Sequence, residues 1–146
     1  MENRSNKDSF SLLFVDDEVE FLATVKGFFE GLEHTVYIAH DGQEALLRVK
    51  EHQPSVVFLD ISMPHMDGIE TLRLIQEINS NIKVVIVSGY ASEKLARDLL
   101  KHGASDFFQK PVDLVQLYET VERLRLLQDI AKSHFWDLLL KNPLLI

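Results

Sequence analysis

The sequence predicts an α/β fold: an open parallel five-stranded sheet with helices on both faces and an extended last helix. Five short apolar runs of strand length alternate with five longer segments whose apolar residues recur at helical spacing. Four of the runs are followed by polar side chains, at Asp16-Asp17, Asp60, Ser88 and Lys110. Because the carboxyl ends of parallel strands meet at one edge of a sheet, we expect these side chains to share a pocket there.

Each element follows from local signals in chain order. The apolar runs predict strands over residues 10–15, 35–39, 55–59, 82–87 and 105–108. The segments of helical period predict helices over residues 18–31, 42–52, 68–79, 92–102 and from 113 onward. An aspartate with Glu or Gln three places later predicts a capped helix start at Asp17, Asp41, Asp67 and Asp113. Two glycines predict left-handed residues at helix ends, Gly31 and Gly103.

The last helix is predicted to extend beyond the sheet, because neither Gly nor Pro interrupts the pattern between Asp113 and Asn142. At 1.5 Å per residue it would be about 45 Å long. Eight positions spaced alternately by three and four residues form a seam of coiled-coil type: Leu114, Leu117, Val121, Leu124, Gln128, Ala131, Phe135 and Leu138. We therefore expect a disordered segment at 1–9, one domain at 10–128, and at 129–146 a helical extension or a linker to a missing domain.

Composition excludes several classes of function. The 146 residues carry 15 basic and 23 acidic side chains, so the net charge of −8 argues against direct binding of nucleic acid. No cysteine is present, which rules out disulfides and thiolate metal sites. No window approaches the roughly 20 apolar residues of a membrane span, and no signal peptide is visible. We expect a cytoplasmic protein.

The predicted pocket suits phosphoryl transfer to a carboxylate. Asp60 is already a nucleophile when ionised, so it needs no general base to attack phosphorus. A phosphoryl donor would be repelled by Asp16, Asp17 and Asp60 together unless a hard cation lay between them, which is the usual role of Mg²⁺. Ser88 and Lys110 would then donate hydrogen bonds to the transferred group.

These residues and their surroundings resemble the receiver domain of bacterial two-component response regulators. The resemblance covers about residues 9–125 and rests on five segments in the same order: Val15-Asp16-Asp17-Glu18, Leu59-Asp60, Met63-Pro64-His65-Met66-Asp67-Gly68, Val87-Ser88-Gly89 and Lys110-Pro111. It implies a flavodoxin-like fold in which a histidine kinase or a histidine phosphotransfer protein phosphorylates Asp60. It also implies that the chain acts as a switch, not as a metabolic enzyme.

The resemblance assigns further roles by position. The backbone carbonyl of Ser62 would be an additional metal ligand, Ser88 the switch hydroxyl, and Lys110-Pro111 a cis peptide bond. Phe107 stands where the family has its aromatic switch residue, usually Tyr, and a purely core role for it is equally open. Ser62 and Tyr90 flank the path of attacking water in relatives, so they would set the lifetime of the acyl phosphate.

Two other functions remain open from the residues alone. Aspartate-nucleophile phosphohydrolases use similar groups, but they carry a second Asp two residues after the nucleophile, where this chain has Ser62. A flavodoxin-like binding module would place an FMN phosphate at the first turn, where Asp16-Asp17-Glu18 would repel it. For a switch, we expect a partner or a second copy to bind at the last helix or at the face formed by helix 4, strand 5 and helix 5.

Overall fold

In a computed structural model, which describes residues 10–89 and 92–142, five parallel strands form one sheet in the order β2-β1-β3-β4-β5. The strands are β1 Ser11–Val15, β2 Thr35–Ala39, β3 Val56–Asp60, β4 Lys83–Ser88 and β5 Asp106–Gln109. The helices are α1 Val19–Gly31, α2 Gly42–His52, α3 Gly68–Ile78, α4 Glu93–Lys101 and α5 Leu114–Lys141. The predicted fold class is confirmed, and the predicted strand bounds are correct to within one residue.

The chain divides into two units, Met1–Pro111 and Val112–Ile146. In the first unit, alternate side chains of each strand point to opposite faces of the sheet. On one face, Leu13 and its neighbours join an apolar cluster with residues of α2, α3 and α4. On the other face, the ring of Phe14 stacks on Phe29 of α1 at 5.5 Å and on Phe58 of β3 at 4.6 Å. Helices therefore cover both faces, as the alternating pattern predicted.

Three of the four predicted helix caps are present. The carboxylates of Asp41, Asp67 and Asp113 each accept a hydrogen bond from the backbone N–H three residues later, at 2.8, 3.0 and 2.8 Å. The prediction for Asp17 is wrong, because the N-cap of α1 is Glu18 and its side chain makes no capping bond. Instead, Asp16 Oδ1 accepts a hydrogen bond from the backbone N–H of Glu18 at 2.8 Å, so Asp16 and not Asp17 bonds the start of the helix.

Of the two glycine predictions, the one for Gly103 is correct and the one for Gly31 is wrong. Gly103 follows α4 with a φ of +105°, a backbone conformation that favours glycine. Gly31 is the last residue of α1 and is not left-handed; the left-handed residue after this helix is Glu33, with a φ of 69°. The prediction for Gly31 is therefore wrong by two positions.

The second unit contains α5, a helix of 28 residues. Its first half holds four buried side chains, Leu117, Thr120, Val121 and Leu124. The segment 126–140 exposes seven large apolar side chains to between 44% and 74% of their surface: Leu126, Leu127, Ile130, Phe135, Trp136, Leu138 and Leu140. The predicted eight-residue seam is therefore exposed only in its second half. Within the part of the chain that the structure describes, no helix has the length and apolarity to cross a bilayer.

Candidate functional site

The four predicted polar positions lie at one edge of the sheet. Asp16 directly follows β1, Asp60 ends β3, Ser88 ends β4, and Lys110 directly follows β5. β1 and β3 are neighbours although β2 lies between them in sequence, so the chain order reverses at this point of the sheet. Ligands of open α/β sheets bind at such a reversal, outside the carboxyl ends of the strands.

Three carboxylates meet at this edge. One oxygen each of Asp16, Asp17 and Asp60 lies within 4.8 Å of the others. The side chains of Asp16 and Asp60 are only 2% exposed, whereas Asp17 is exposed. Two carboxylates about 4 Å apart repel by roughly 4 kcal/mol at an effective dielectric constant of 20. A cluster of hard oxygen donors at this spacing is compatible with a divalent cation site.

Lys110 partly neutralises this cluster. Its Nζ donates to Asp16 Oδ2 and to Asp60 Oδ2, each at 2.9 Å, and to Glu18 Oε1 at 3.1 Å. Burial by itself opposes the charge of this ammonium, but the hydrogen bonds to the three carboxylates outweigh burial and raise the pKa of Lys110 above its ordinary value. The ammonium of Lys110 thus links the carboxyl ends of the neighbouring strands β1 and β3.

Asp16 is held at an energetic cost. Burial raises its pKa, although the hydrogen bonds from the Glu18 amide and from Lys110 act in the opposite direction. A carboxyl group with a raised pKa stabilises the fold below its unfolded pKa, and this contribution is lost as pH rises through the folded pKa. The contribution of Asp16 to stability is therefore smallest where its carboxyl group is ionised.

Both oxygens of the Asp60 carboxylate are occupied. Oδ1 accepts from the backbone N–H of Ser62 at 2.8 Å and from its hydroxyl at 2.5 Å, while Oδ2 accepts from Lys110. The sequence singled out Ser62 for its carbonyl and for its position near attacking water. The hydroxyl bond to Asp60 was not predicted, although a Ser two residues after an Asp is close enough to form one.

Ser88 and Phe107 are the remaining predicted residues that the structure describes. Ser88 is buried, its carbonyl accepts the backbone N–H of Lys110 at 2.9 Å, and the Lys110-Pro111 peptide bond is cis. Phe107 is partly buried against the apolar cluster beneath α2–α4 and lies opposite Ile86 of β4. Tyr90 lies outside the described residues.

Two residues of the site were missed by sequence reasoning. Glu18 pairs with Lys110, and the ring centroid of Phe21 lies 5.7 Å from Lys110 Nζ, a cation–π distance. No local signal pointed to this role of Glu18, because the sequence predicted the helix cap one residue earlier, at Asp17.

Comparisons with known proteins agree on one family. The profile of the response regulator receiver domain matches residues 12–122. The chain is 35% identical to the transcriptional regulatory protein ZraR of Escherichia coli K12 over 130 residues, which is 89% of this chain but only 28% of ZraR. It is 32% identical to the chemotaxis protein CheY of Bacillus subtilis, over 77% of this chain and 94% of CheY.

A solved structure is also similar to this chain. The crystal structure of the CheX-CheY-BeF3-Mg+2 complex from Borrelia burgdorferi contains a chain that is 35% identical to this one, with a TM-score of 0.72. The match covers 79% of this chain and 88% of that chain.

Proposed function

Because this chain belongs to the response regulator receiver domain family, whose members are phosphorelay signalling switches, we propose that Asp60 is its phosphoacceptor. The donor is a histidine kinase or a histidine phosphotransfer protein. A carboxylate oxygen of Asp60 forms a bond to phosphorus, the bond from phosphorus to the donor nitrogen breaks, and that nitrogen keeps the electron pair. The chain catalyses only its own phosphorylation and dephosphorylation.

One observation carries the proposal. The ammonium of Lys110 bonds the buried carboxylates of Asp16 and Asp60 together at 2.9 Å each. Replacing a buried ion pair by apolar residues is often neutral or stabilising, so two buried acids and a lysine gathered at the ends of three strands point to a role beyond folding. Once Asp60 carries a phosphoryl group, we propose that Lys110 and Ser88, at the ends of neighbouring strands, donate hydrogen bonds to its oxygens.

The residues fit a magnesium ion. Asp16, Asp17 and Asp60 would hold it, with the backbone carbonyl of Ser62 as a further ligand, since Mg²⁺ prefers hard oxygen donors. When bound, the ion supplies positive charge between the carboxylates and the phosphoryl oxygens. The Mg+2 named in the related CheX-CheY complex supports this choice of metal.

The switch itself is assigned to Ser88 and Phe107. We propose that Ser88 moves toward the phosphoryl group and that Phe107 follows, changing the surface near α4 and β5. Phe107 has no hydroxyl, so its position depends on apolar packing, in agreement with its contact to the apolar cluster. Ser62 and Tyr90 set how long the acyl phosphate lasts.

Neither alternative function gains support from the comparisons, which match receiver domains. A phosphohydrolase would require many turnovers on an added phosphoester, and a flavin module would require a yellow chromophore. We also propose a cytoplasmic location, because histidine kinases are phosphorylated from ATP, a cytoplasmic metabolite.

Incubation with acetyl phosphate and Mg²⁺ is expected to add the mass of one phosphoryl group to the protein. Removing Mg²⁺ with EDTA is expected to prevent the addition, because three acidic side chains then face the donor without a divalent cation. Intact-protein mass spectrometry measures both results. Omitting acetyl phosphate is the control, and an adduct that forms equally well in EDTA would contradict the metal assignment.

We further propose that a second copy of the chain pairs with residues 126–140 of α5. Seven large apolar side chains in this segment are 44–74% exposed, and exposed apolar surface of this kind marks sites of protein association. The rings of Phe135 and Trp136 contact each other edge to face, with centroids 5.7 Å apart. Because Leu117, Val121 and Leu124 are already buried within the single chain, only the second half of the predicted seam is available for pairing.

Light scattering is expected to give a dimer mass for the full chain and a monomer mass for a chain ending at Gln128. A full-length Phe135→Ser/Leu138→Ser variant tests the same surface without shortening the helix. Val115→Ser removes an equally exposed apolar side chain from the first turn of α5 and should remain dimeric. Equal monomer masses for the full and shortened chains would remove the dimer proposal.

A further inference from the structure

Glu18 occupies an unusual position for its residue type. It is the N-cap of α1, yet its side chain makes no capping bond and instead reaches Lys110, with Oε1 at 3.1 Å from Nζ. Its backbone N–H bonds Asp16, which anchors the residue at the rim of the site. The side chain is 64% exposed, so its carboxylate faces any molecule that approaches from solvent.

The charge of Glu18 lies close to the proposed phosphoacceptor. Glu18 Oε1 and Asp60 Oδ2 both bond the same nitrogen, at 3.1 and 2.9 Å, so they are at most about 6 Å apart. A donor whose phosphoryl group reaches Asp60 enters the field of this carboxylate at a similar distance. Glu18 also shares the ammonium of Lys110, which reduces the positive charge that Lys110 presents to the donor.

We propose that Glu18 is a specificity-determining residue that makes the site prefer phosphoryl donors of lower negative charge, namely P–N donors of the phosphoramidate type over acyl phosphates. This inference rests on the proposed function, since it concerns phosphorylation of Asp60. Glu18 acts through its charge and through Lys110, and does not itself touch the reacting atoms.

Acetyl phosphate and phosphoramidate are two small phosphoryl donors that differ in net charge. At neutral pH acetyl phosphate is a dianion, and its transfer to Asp60 breaks the bond from phosphorus to an acetate oxygen, which leaves with the electron pair. Phosphoramidate carries a protonated nitrogen and a net charge of minus one. Its P–N bond breaks with the electron pair on nitrogen, which leaves as neutral ammonia.

The test compares the initial phosphorylation rates of the full chain with each donor in Mg²⁺, followed by intact-protein mass spectrometry. Glu18→Gln is expected to raise the ratio of the acetyl phosphate rate to the phosphoramidate rate about threefold at low salt. High ionic strength should shrink this change, because Glu18 is exposed to screening ions. Glu18→Asp retains the charge and is expected to keep a ratio near that of the wild type.

Glu20→Gln is the matched control. Glu20 is an exposed acid in the first turn of the same helix and is not a partner of Lys110, so its replacement should leave the ratio unchanged. If Glu18→Gln alters both rates by the same factor, or if high salt leaves its effect intact, the proposal is wrong. If the wild-type chain takes phosphate from neither donor, the proposed function itself fails.

Discussion

Replacing Asp60 with Asn is expected to abolish the phosphoryl adduct that the wild-type chain gains from acetyl phosphate and Mg²⁺. The amide is not a nucleophile at neutral pH, and the change also removes one of the three clustered carboxylates. Loss of a catalytic nucleophile lowers rates by on the order of a thousandfold or more. Intact-protein mass spectrometry with a time course gives the rate directly.

Asp67→Asn is the matched control for this change. Asp67 lies in the loop that follows Asp60, and its Oδ1 accepts the N–H of Glu70 at 3.0 Å to cap α3. Asn is an equally good capping residue, so the fold and the adduct should both survive. An adduct that persists in the Asp60→Asn variant would show that another side chain accepts the phosphoryl group.

Lys110→Gln is expected to lower the free energy of unfolding by about 2–4 kcal/mol in the absence of metal. The variant leaves the buried carboxylates of Asp16 and Asp60 side by side without their shared ammonium. Part of the cost is relieved because Asp16, whose pKa burial already raises, can take up a proton. Urea unfolding in EDTA measures the change.

Three comparisons test the cause of this loss. Adding Asp60→Asn to Lys110→Gln should restore most of the stability, since it removes one of the unpaired charges. Mg²⁺ should also restore stability, because it binds the folded site and not the unfolded chain. Lys101→Gln, which removes an exposed lysine from the last turn of α4, should change stability little. A similar loss from Lys101→Gln would contradict the explanation.

Local signals predicted most of the fold and brought the central residues of the site together. The apolar runs before Asp16 and Asp60 identify buried strands, and parallel pairing alone places their ends at one edge. Asp41, Asp67 and Asp113 were predicted correctly as caps because a cap is formed within three residues of sequence.

Three of the failures depend on how distant parts of the chain pack together. Whether Asp17 or Glu18 caps α1 depends on Asp16, whose carboxylate is drawn to Lys110 from 94 positions away. Glu18 pairs with Lys110, which is 92 positions away in the sequence, and no pattern near Glu18 predicts that partner. The seam of α5 has one period throughout, so its spacing could not show that Leu117, Val121 and Leu124 are buried within one chain.

The double engagement of Asp60, with Ser62 on one oxygen and Lys110 on the other, also protects the side chain in the resting protein. The Asp60 side chain is also only 2% exposed, so we expect it to react with carbodiimides and other carboxyl-modifying reagents more slowly than the exposed carboxylates of the chain. The rate of such labelling at Asp60 would therefore report how often its hydrogen bonds to Ser62 and Lys110 open.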